Sequence, residues 1–336
     1  MLANDKERQG LLIAVITGGR PELKQRPTHK FLDELKTAGY TNICWVVSEK
    51  DAPNYEHDQH ELITYPTKWA EQYAAEHWML TTPYEPGSFY GAFVGREYAC
   101  LEAEKRSCWG VMQLDDNITA LSILKYGTAA VETVKEQNNM VMFADVLTAI
   151  TKSTNGRMVG AQLSAIPEPQ LKVSRPGFPY SCFIEQVGEG REHWYGPFED
   201  DITHALQYGE RAQEGTALVD PTLLYTKESK SKTGMRSRYN HERAVNLHRI
   251  FPHLAKITAK STKANGVAGD HNARVFHHMN AGAIRTPQTI TNKTRYKQVQ
   301  TYLTEQAHIF AEKRRHYAHA KVAKRTGGTT PQQPNK

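Results

Sequence analysis

The segment 109–123, WGVMQLDDNITALSI, places two adjacent carboxylates, Asp115 and Asp116, at the end of an apolar run. A buried carboxylate is costly unless a cation, a metal ion or several hydrogen bonds compensate its charge. Oxygen ligands on a short loop suit a hard divalent cation, which would bridge phosphate oxygens and stabilise a departing diphosphate. These residue types predict Mn²⁺ or Mg²⁺ at Asp115 and Asp116, with an Asx turn as the structural alternative.

A second acidic cluster, Glu199, Asp200 and Asp201, lies at the start of a predicted helix. One acid at this position commonly caps the helix or complements its dipole. Three adjacent acids exceed what one cap needs, so we also predict a general base that takes a proton from an acceptor hydroxyl. His271 is a candidate third metal ligand, although a lone histidine is more often a surface or core residue.

Several motifs are missing from the sequence. The patterns GxGxxG and GxxxxGK[ST] do not occur, which argues against a dinucleotide fold and a P-loop enzyme, and neither HExxH nor GxSxG is present. The four cysteines lie far apart without CxxC spacing, which predicts reduced thiols. The first ten residues are polar, and no apolar run approaches the roughly 20 residues that span a bilayer. We therefore expect a cytoplasmic chain without a membrane segment.

Charge is distributed unevenly along the chain. Residues 1–226 contain 20 Lys and Arg against 31 Asp and Glu, whereas residues 227–336 contain 22 against 5. An acidic body followed by a basic final third indicates contact with a polyanion, and a solvated basic surface is the simpler alternative. We predict a catalytic core at 1–226, a basic and mostly helical extension facing nucleic acid at 227–325, and a disordered tail at 326–336.

Alternating strands and helices must position these acids. The apolar run at 11–17 is typical of a buried parallel strand, and a helix at 28–39, with Thr28 as N-cap and Gly39 as its stop, leads to a strand at 42–51. This spacing predicts an α/β fold with a mainly parallel sheet, in which ligands bind outside the carboxyl ends of the strands. Further strands are expected at 60–66, 108–114, 157–166, 180–188 and 216–227, and further helices at 68–80, 94–107, 128–137, 200–209, 241–254 and 296–325.

An opening strand followed by TGGRP, an amphipathic helix, a strand ending in an acid and a later strand ending in Asp-Asp-Asn resembles the GT-A-type glycosyltransferases. The resemblance implies a GT-A-like fold in which the loop 17–21 holds the nucleoside of a sugar nucleotide and residues 48–51 contact its base. It also implies that residues 115–117 act as a DxD-like motif for ribose and metal–diphosphate, and that the acids at 199–201 supply the catalytic base. The donor-binding residues implied in this way are Thr17, Gly18, Arg20, Glu49, Asp115 and Asn117.

Within that class the chain looks most like the TET-associated glycosyltransferases, which act on hydroxymethylated pyrimidines such as 5-hydroxymethylcytosine in phage DNA. The resemblance implies metal-dependent transfer of a sugar from a nucleotide sugar such as UDP-glucose to a base that leaves the stack. The alternatives are a glycosyltransferase acting on protein or glycan, a Mg²⁺-dependent nuclease or phosphoryl transferase, and a non-catalytic nucleic-acid-binding module. The residues expected to contact the DNA backbone are Lys230, Lys232, Arg236, Arg238, Lys313, Arg314 and Arg315.

Overall fold

A computed structural model of the chain describes residues 2–18, 26–55, 60–88, 90–124, 140–165, 174–210, 215–228, 240–260, 274–278 and 286–326. The strands within these ranges are β1 (Leu11–Ile16), β2 (Asn42–Ser48), β3 (Glu61–Tyr65), β4 (Gly110–Asp115), β5 (Ile118–Ile123), β6 (Gly156–Leu163), β7 (Arg175–Pro176), β8 (Cys182–Gln186), β9 (Thr216–Lys227), β10 (Lys256–Lys260) and β11 (Arg274–His278). The helices are α1 (Asp5–Gln9), α2 (Leu32–Thr37), α3 (Thr67–Glu76), α4 (Ala92–Lys105), α5 (Met140–Thr151), α6 (Asp200–Glu210), α7 (Asn240–Ile250) and α8 (Lys293–Thr326), with short 3-10 helices at Pro27–Phe31 and Ala52–Asn54.

Strands β1 to β9 form one sheet in the order β3-β2-β1-β4-β8-β6-β9-β5, with β7 beside β9, and β10 and β11 form a separate antiparallel pair. Strands β1 to β4, β6 and β9 run in one direction, whereas β5, β7 and β8 run in the other. The prediction of an α/β fold is therefore confirmed, with a sheet that is mixed because β5, β7 and β8 run against the other six strands.

Strand β1 is buried on both faces, as its unbroken apolar sequence predicts. Leu11, Ile13 and Val15 pack on one side of the sheet in a cluster shared with α2, α5 and α8. Leu12 and Ala14 point to the other side and pack with residues of α3, α4 and α6. The sheet thus lies between two layers of helices, and within the described residues its strand ends are where polar groups border a cavity.

Helix α8 joins the core through its first half. Tyr296, Val299, Leu303 and Ala307 are buried at spacings of three and four residues, which defines one helical face, and this part of α8 packs beside α5. With 34 residues the helix is about 50 Å long. No helix in the described ranges is both long enough and apolar enough to cross a membrane.

The helices α1 and α5 and the strands β5, β7, β10 and β11 are absent from the sequence predictions. All residues of α5 except Val141 are buried, so the helix has no polar face from which an amphipathic period could be read. Strand β5 begins directly after the two-residue turn Asp116-Asn117 and pairs with β9. The predicted helix at 128–137 lies outside the described residues, and the proposed domain boundaries stay predictions.

The order of the strands changes direction at β1. The chain moves outward from β1 through β2 to β3 and then returns to β4 on the other side of β1. In open α/β sheets such a switch point opens a crevice at the carboxyl ends of the two strands, where ligands bind. Ile16 at the end of β1 is paired in register with Asp115 at the end of β4, so the acidic segment borders this crevice.

Candidate functional site

A cavity of about 450 Å³ lies at the switch point. Its size is within the range of small-molecule sites in proteins. Strand ends and helix starts surround it, and five of its lining side chains are carboxylates while three are cations. The charged lining residues are Lys50, Asp51, Arg96, Asp115, Asp116, Asp200, Asp201 and Lys227.

Asp115 is held between two cations. Its Oδ1 accepts a hydrogen bond of 2.8 Å from Nη2 of Arg96, and its Oδ2 lies 3.2 Å from Nζ of Lys227. Burial by itself would raise the pKa of Asp115, but Lys227 and Arg96 outweigh burial and lower this pKa to about 2. Asp115 is therefore an ionised carboxylate at neutral pH.

Arg96 links the two acidic clusters. Its side chain is buried on α4, where Nη2 meets Asp115 and Nε lies 3.2 Å from Oδ2 of Asp200. The guanidinium also packs over the rings of Phe183 and Trp194, at 5.4 and 5.3 Å from their centroids. Burial favours loss of the proton, but the surrounding carboxylates raise the pKa of Arg96 above its usual range. Sequence reasoning missed this residue, and an arginine near the start of a largely apolar helix was the available signal.

Asp200 and Asp201 begin helix α6, as predicted, and both line the cavity. Oδ1 of Asp201 accepts the N–H of Ile202 over 2.9 Å. Burial and the neighbouring carboxylates raise the pKa of both aspartates, and that of Asp201 reaches about 7. Glu199 has a left-handed φ of 52° and does not line the cavity, so the described geometry favours its two neighbours as the base.

Asp116 is turned toward the loop that follows β1. Its Oδ2 accepts a hydrogen bond of 2.7 Å from Thr17 Oγ1 and lies 3.7 Å from Nε of Arg26. The Tyr55 hydroxyl joins the same group through Thr17 and Arg26. Thr28 does not cap its helix as predicted: its hydroxyl donates to the carbonyl of Asp115 over 2.6 Å. These contacts fix the turn after β4 to the loop after β1.

Asn117 and Lys227 tie this turn to the end of β9. The amide of Asn117 donates to the Glu228 carbonyl over 2.6 Å, and the Glu228 N–H donates to the Asn117 carbonyl over 2.9 Å. Lys227 donates to the Ser181 hydroxyl over 2.6 Å in addition to its contact with Asp115. The far end of the sheet thereby contributes a cation to the cavity.

A buried network fixes helix α6 behind the acids. Glu185 on β8 lies 2.6 Å from His204 Nε2 and accepts from the Tyr208 hydroxyl over 2.8 Å, and both partners belong to α6. Its other oxygen accepts from Trp194 Nε1 over 3.0 Å and from Gln113 Nε2 over 3.3 Å. Burial would raise the pKa of Glu185, but His204 and the other donors lower it. Glu185 thus holds α6 against β8 and β4, which positions its first residues beside Arg96.

The structure places only part of the predicted donor site at the cavity. Thr17 and Gly18 line it, whereas Arg20 lies outside the described residues. Glu49 does not line it, because its carboxylate accepts the N–H of Thr67 over 3.0 Å at the start of α3. That hydrogen bond lowers the pKa of Glu49. Asp51, two residues further along the chain, lines the cavity.

The predicted metal ligands do not form a cation site as they stand. The carboxylates that line the cavity outnumber its positively charged side chains, so its net charge would attract a metal ion. However, both oxygens of Asp115 face positive groups, and Asp116 points toward Thr17. Across the described ranges, no three His, Cys, Asp or Glu side chains are grouped so as to hold a metal ion. His271 lies outside those ranges. Mn²⁺ or Mg²⁺ at this place stays a prediction that the described side chains do not fit.

The predicted nucleic-acid contacts fall largely beyond the described part of the chain. Lys230, Lys232, Arg236 and Arg238 lie in the segment 229–239, which is outside the described residues. The basic residues 313–315 lie on helix α8, where the structure describes the helix but not the side chains at these positions. These contacts stay predictions.

Comparisons with known proteins add little to this geometry. No protein-family model matches the chain, and no curated protein matches it. A solved structure described as that of a mycobacterial protein is similar over 83% of this chain and 87% of that chain, with 9% sequence identity and a TM-score of 0.44. Similarity at this level carries no argument, so the function is argued from the site itself.

Proposed function

We propose that this chain is a GT-A-like glycosyltransferase that moves a sugar from a nucleotide sugar to a hydroxyl group. One observation carries the proposal. In a single cavity at the sheet's switch point, Arg96 joins an ionised carboxylate at a strand end, Asp115, to an acid pair of raised pKa at a helix start, Asp200 and Asp201. Arg96 would stabilise the negative charge on a leaving phosphate, and the acid pair would supply a base that deprotonates the acceptor hydroxyl.

The nucleoside end of the donor fits between the ends of β1 and β2. Thr17 and Gly18 border the cavity there, and the rings of Tyr65 and Tyr90 supply aromatic surface for a base. A Cβ atom at Gly18 would lie 3.2 Å from the Asp51 carboxylate, so a small residue keeps this end open. A nucleotide laid from here toward Arg96 would bring its diphosphate to the charged end of the cavity.

Asp201 is the better candidate for the base. Oδ2 of Asp200 is engaged by the Arg96 cation, whereas Oδ1 of Asp201 meets a backbone N–H, that of Ile202. Burial and the neighbouring acids raise the pKa of Asp201 to about 7, a value that suits a general base. In the proposed step the acceptor oxygen bonds to the anomeric carbon, and the bond from that carbon to the diphosphate oxygen breaks. The acceptor proton passes to Asp201, and the leaving diphosphate keeps the electron pair.

The charge distribution favours DNA as the carrier of the acceptor hydroxyl, and the resemblance to the TET-associated glycosyltransferases suggests a hydroxymethylated pyrimidine as the acceptor base. The final third of the sequence carries 22 Lys and Arg against 5 Asp and Glu, and helix α8 extends this basic sequence beyond the residues that it buries in the core. Binding to DNA phosphates would release counterions and depend steeply on salt. A protein or glycan acceptor would use the same donor chemistry and is distinguished by assay.

A donor panel tests the proposal. Nucleoside diphosphates and their sugars are added to the wild type, Asp201→Asn and the matched surface control Asp5→Asn, and melting temperatures are recorded. We expect one nucleotide class to raise the melting temperature of all three proteins, since the base does not hold the donor. Hydrolysis or transfer of the sugar should be lost only in Asp201→Asn. If no nucleotide sugar stabilises the wild type, the proposed function is wrong.

A further inference from the structure

Lys227 ends strand β9 at the edge of the cavity, a position that the sequence patterns do not single out. Its ammonium group donates to the Ser181 hydroxyl over 2.6 Å and lies 3.2 Å from Oδ2 of Asp115. The side chain is 28% exposed and lines the cavity, so a ligand bound there can reach it. An ammonium group has three donors, and the described residues use two of them. One N–H is left to meet a ligand.

This ammonium group occupies the place beside Asp115 that a divalent cation would need. Metal ions bind carboxylate oxygens at roughly 2.0–2.6 Å, and each Asp115 oxygen already faces a positive group, Arg96 or Lys227. A divalent ion added there would be repelled by two like charges a few ångströms away. Asp116 lines the same cavity, but its Oδ2 accepts a hydrogen bond from Thr17 Oγ1 over 2.7 Å and is turned toward the loop after β1.

The start of helix α4 adds positive potential to the same region. The helix begins at Ala92 after Gly91, and among the described residues no side chain caps it. Gly91, Ala92 and Gly95 line the cavity, so the first turn of α4 borders the space in front of Arg96. Backbone N–H groups at a helix start favour phosphate oxygens. Lys227, Arg96 and the start of α4 therefore each place positive charge or backbone N–H groups beside the cavity, where an anion would bind.

We infer that Lys227, with Arg96 beside it, holds the diphosphate of the nucleotide in place of a divalent cation. The inference rests on the proposed function, because it specifies how this cavity binds its donor. Lys227 would also balance the charge that develops on the oxygen released from the anomeric carbon, the task that a metal ion performs in metal-dependent transfer. The ligand class is a nucleoside diphosphate or its sugar, bound without metal.

Calorimetric titration with UDP and UMP, or with the corresponding pair for another base that the donor panel selects, tests this inference in the wild type. We expect the diphosphate to bind with the same affinity in EDTA and in Mn²⁺, and to bind more tightly than the monophosphate. A diphosphate affinity that falls tenfold or more in EDTA would overturn the inference and leave the proposed function standing. Absence of binding by every nucleotide in both buffers would overturn both.

Variants of Lys227 give an independent test. Lys227→Met should weaken diphosphate binding about 10- to 100-fold, the range of a charged hydrogen bond, while monophosphate binding changes less. Mn²⁺ should restore part of the lost affinity, since Asp115 then lacks one cation. Two variants should bind the diphosphate like the wild type. Lys227→Arg keeps the positive charge and serves as the test if Lys227→Met does not fold, and Lys36→Met is the exposed control. Wild-type diphosphate affinity in a folded Lys227→Met variant would overturn the inference.

Discussion

Replacing Asp201 by asparagine should stabilise the protein at neutral and alkaline pH while abolishing transfer. The pKa of this carboxyl is raised from 3.8 to about 7, because burial and the neighbouring acids disfavour its charge. A rise of this size corresponds to about 4 kcal/mol for a fully buried group. Asp201 is only partly buried, so we expect a gain of about 2–4 kcal/mol in the free energy of unfolding, or about 3–6 °C for a chain of this length.

The gain should depend on pH in a defined direction. Because the folded pKa lies above the unfolded value, the unfolded chain releases this proton first, and wild-type stability falls as pH rises from about 4 to about 7. The asparagine variant lacks that loss, so its advantage should grow across this interval and stay level above it. Thermal unfolding of Asp201→Asn, with Asp5→Asn as the surface control, measures the difference. Equal stability of the variant and the wild type at about pH 8 would show that the folded protein does not raise the pKa of Asp201.

Three further predictions concern the groups around the site. Arg96→Met should lower the free energy of unfolding in urea by about 2–4 kcal/mol, since it leaves two partly buried carboxylates, Asp115 and Asp200, without their shared cation. A loss below about 1 kcal/mol would contradict this pairing. Glu185→Gln should lower the free energy of unfolding by about 1–3 kcal/mol, because α6 loses its buried hydrogen-bond anchor. It should also lower kcat with little change in the donor KM, since the donor contacts remain, and an unchanged kcat would exclude a positioning role. Alanine at Lys313, Arg314 and Arg315 together should reduce the slope of log affinity for DNA against log salt by about 2.7, and an unchanged slope would exclude phosphate contacts there.

Much of the fold could be predicted from local sequence patterns. The unbroken apolar sequence of β1 specifies a strand buried on both faces, and Gly39, with φ of 96°, ends the segment of α2 as expected. Helix α5 escaped detection because it is buried nearly all round and therefore has no polar face. The direction of β8, which is one of the three strands that make the sheet mixed, depends on pairing with β4 and β6 and has no local signal.

The site was less accessible to sequence reasoning, because its cations come from far along the chain. Both acidic clusters could be found as runs of like charge, and the fold brings them to one cavity. Arg96 and Lys227, which pair with Asp115, are separated from it by 19 and 112 residues. Glu49 shows the opposite error: an acid at a strand end resembled a ligand contact, but the chain uses it to accept the N–H of Thr67.

The proposed transfer can be measured directly by mass analysis of DNA after incubation with the nucleotide sugar that the donor panel selects. We expect hydroxymethylated DNA to gain the mass of one sugar per modified base, plain DNA to gain none, and Asp201→Asn to leave both unchanged. Wild-type transfer rates in Asp201→Asn would contradict the assigned chemistry. Cleavage of DNA with no sugar donor present would contradict the proposed reaction itself.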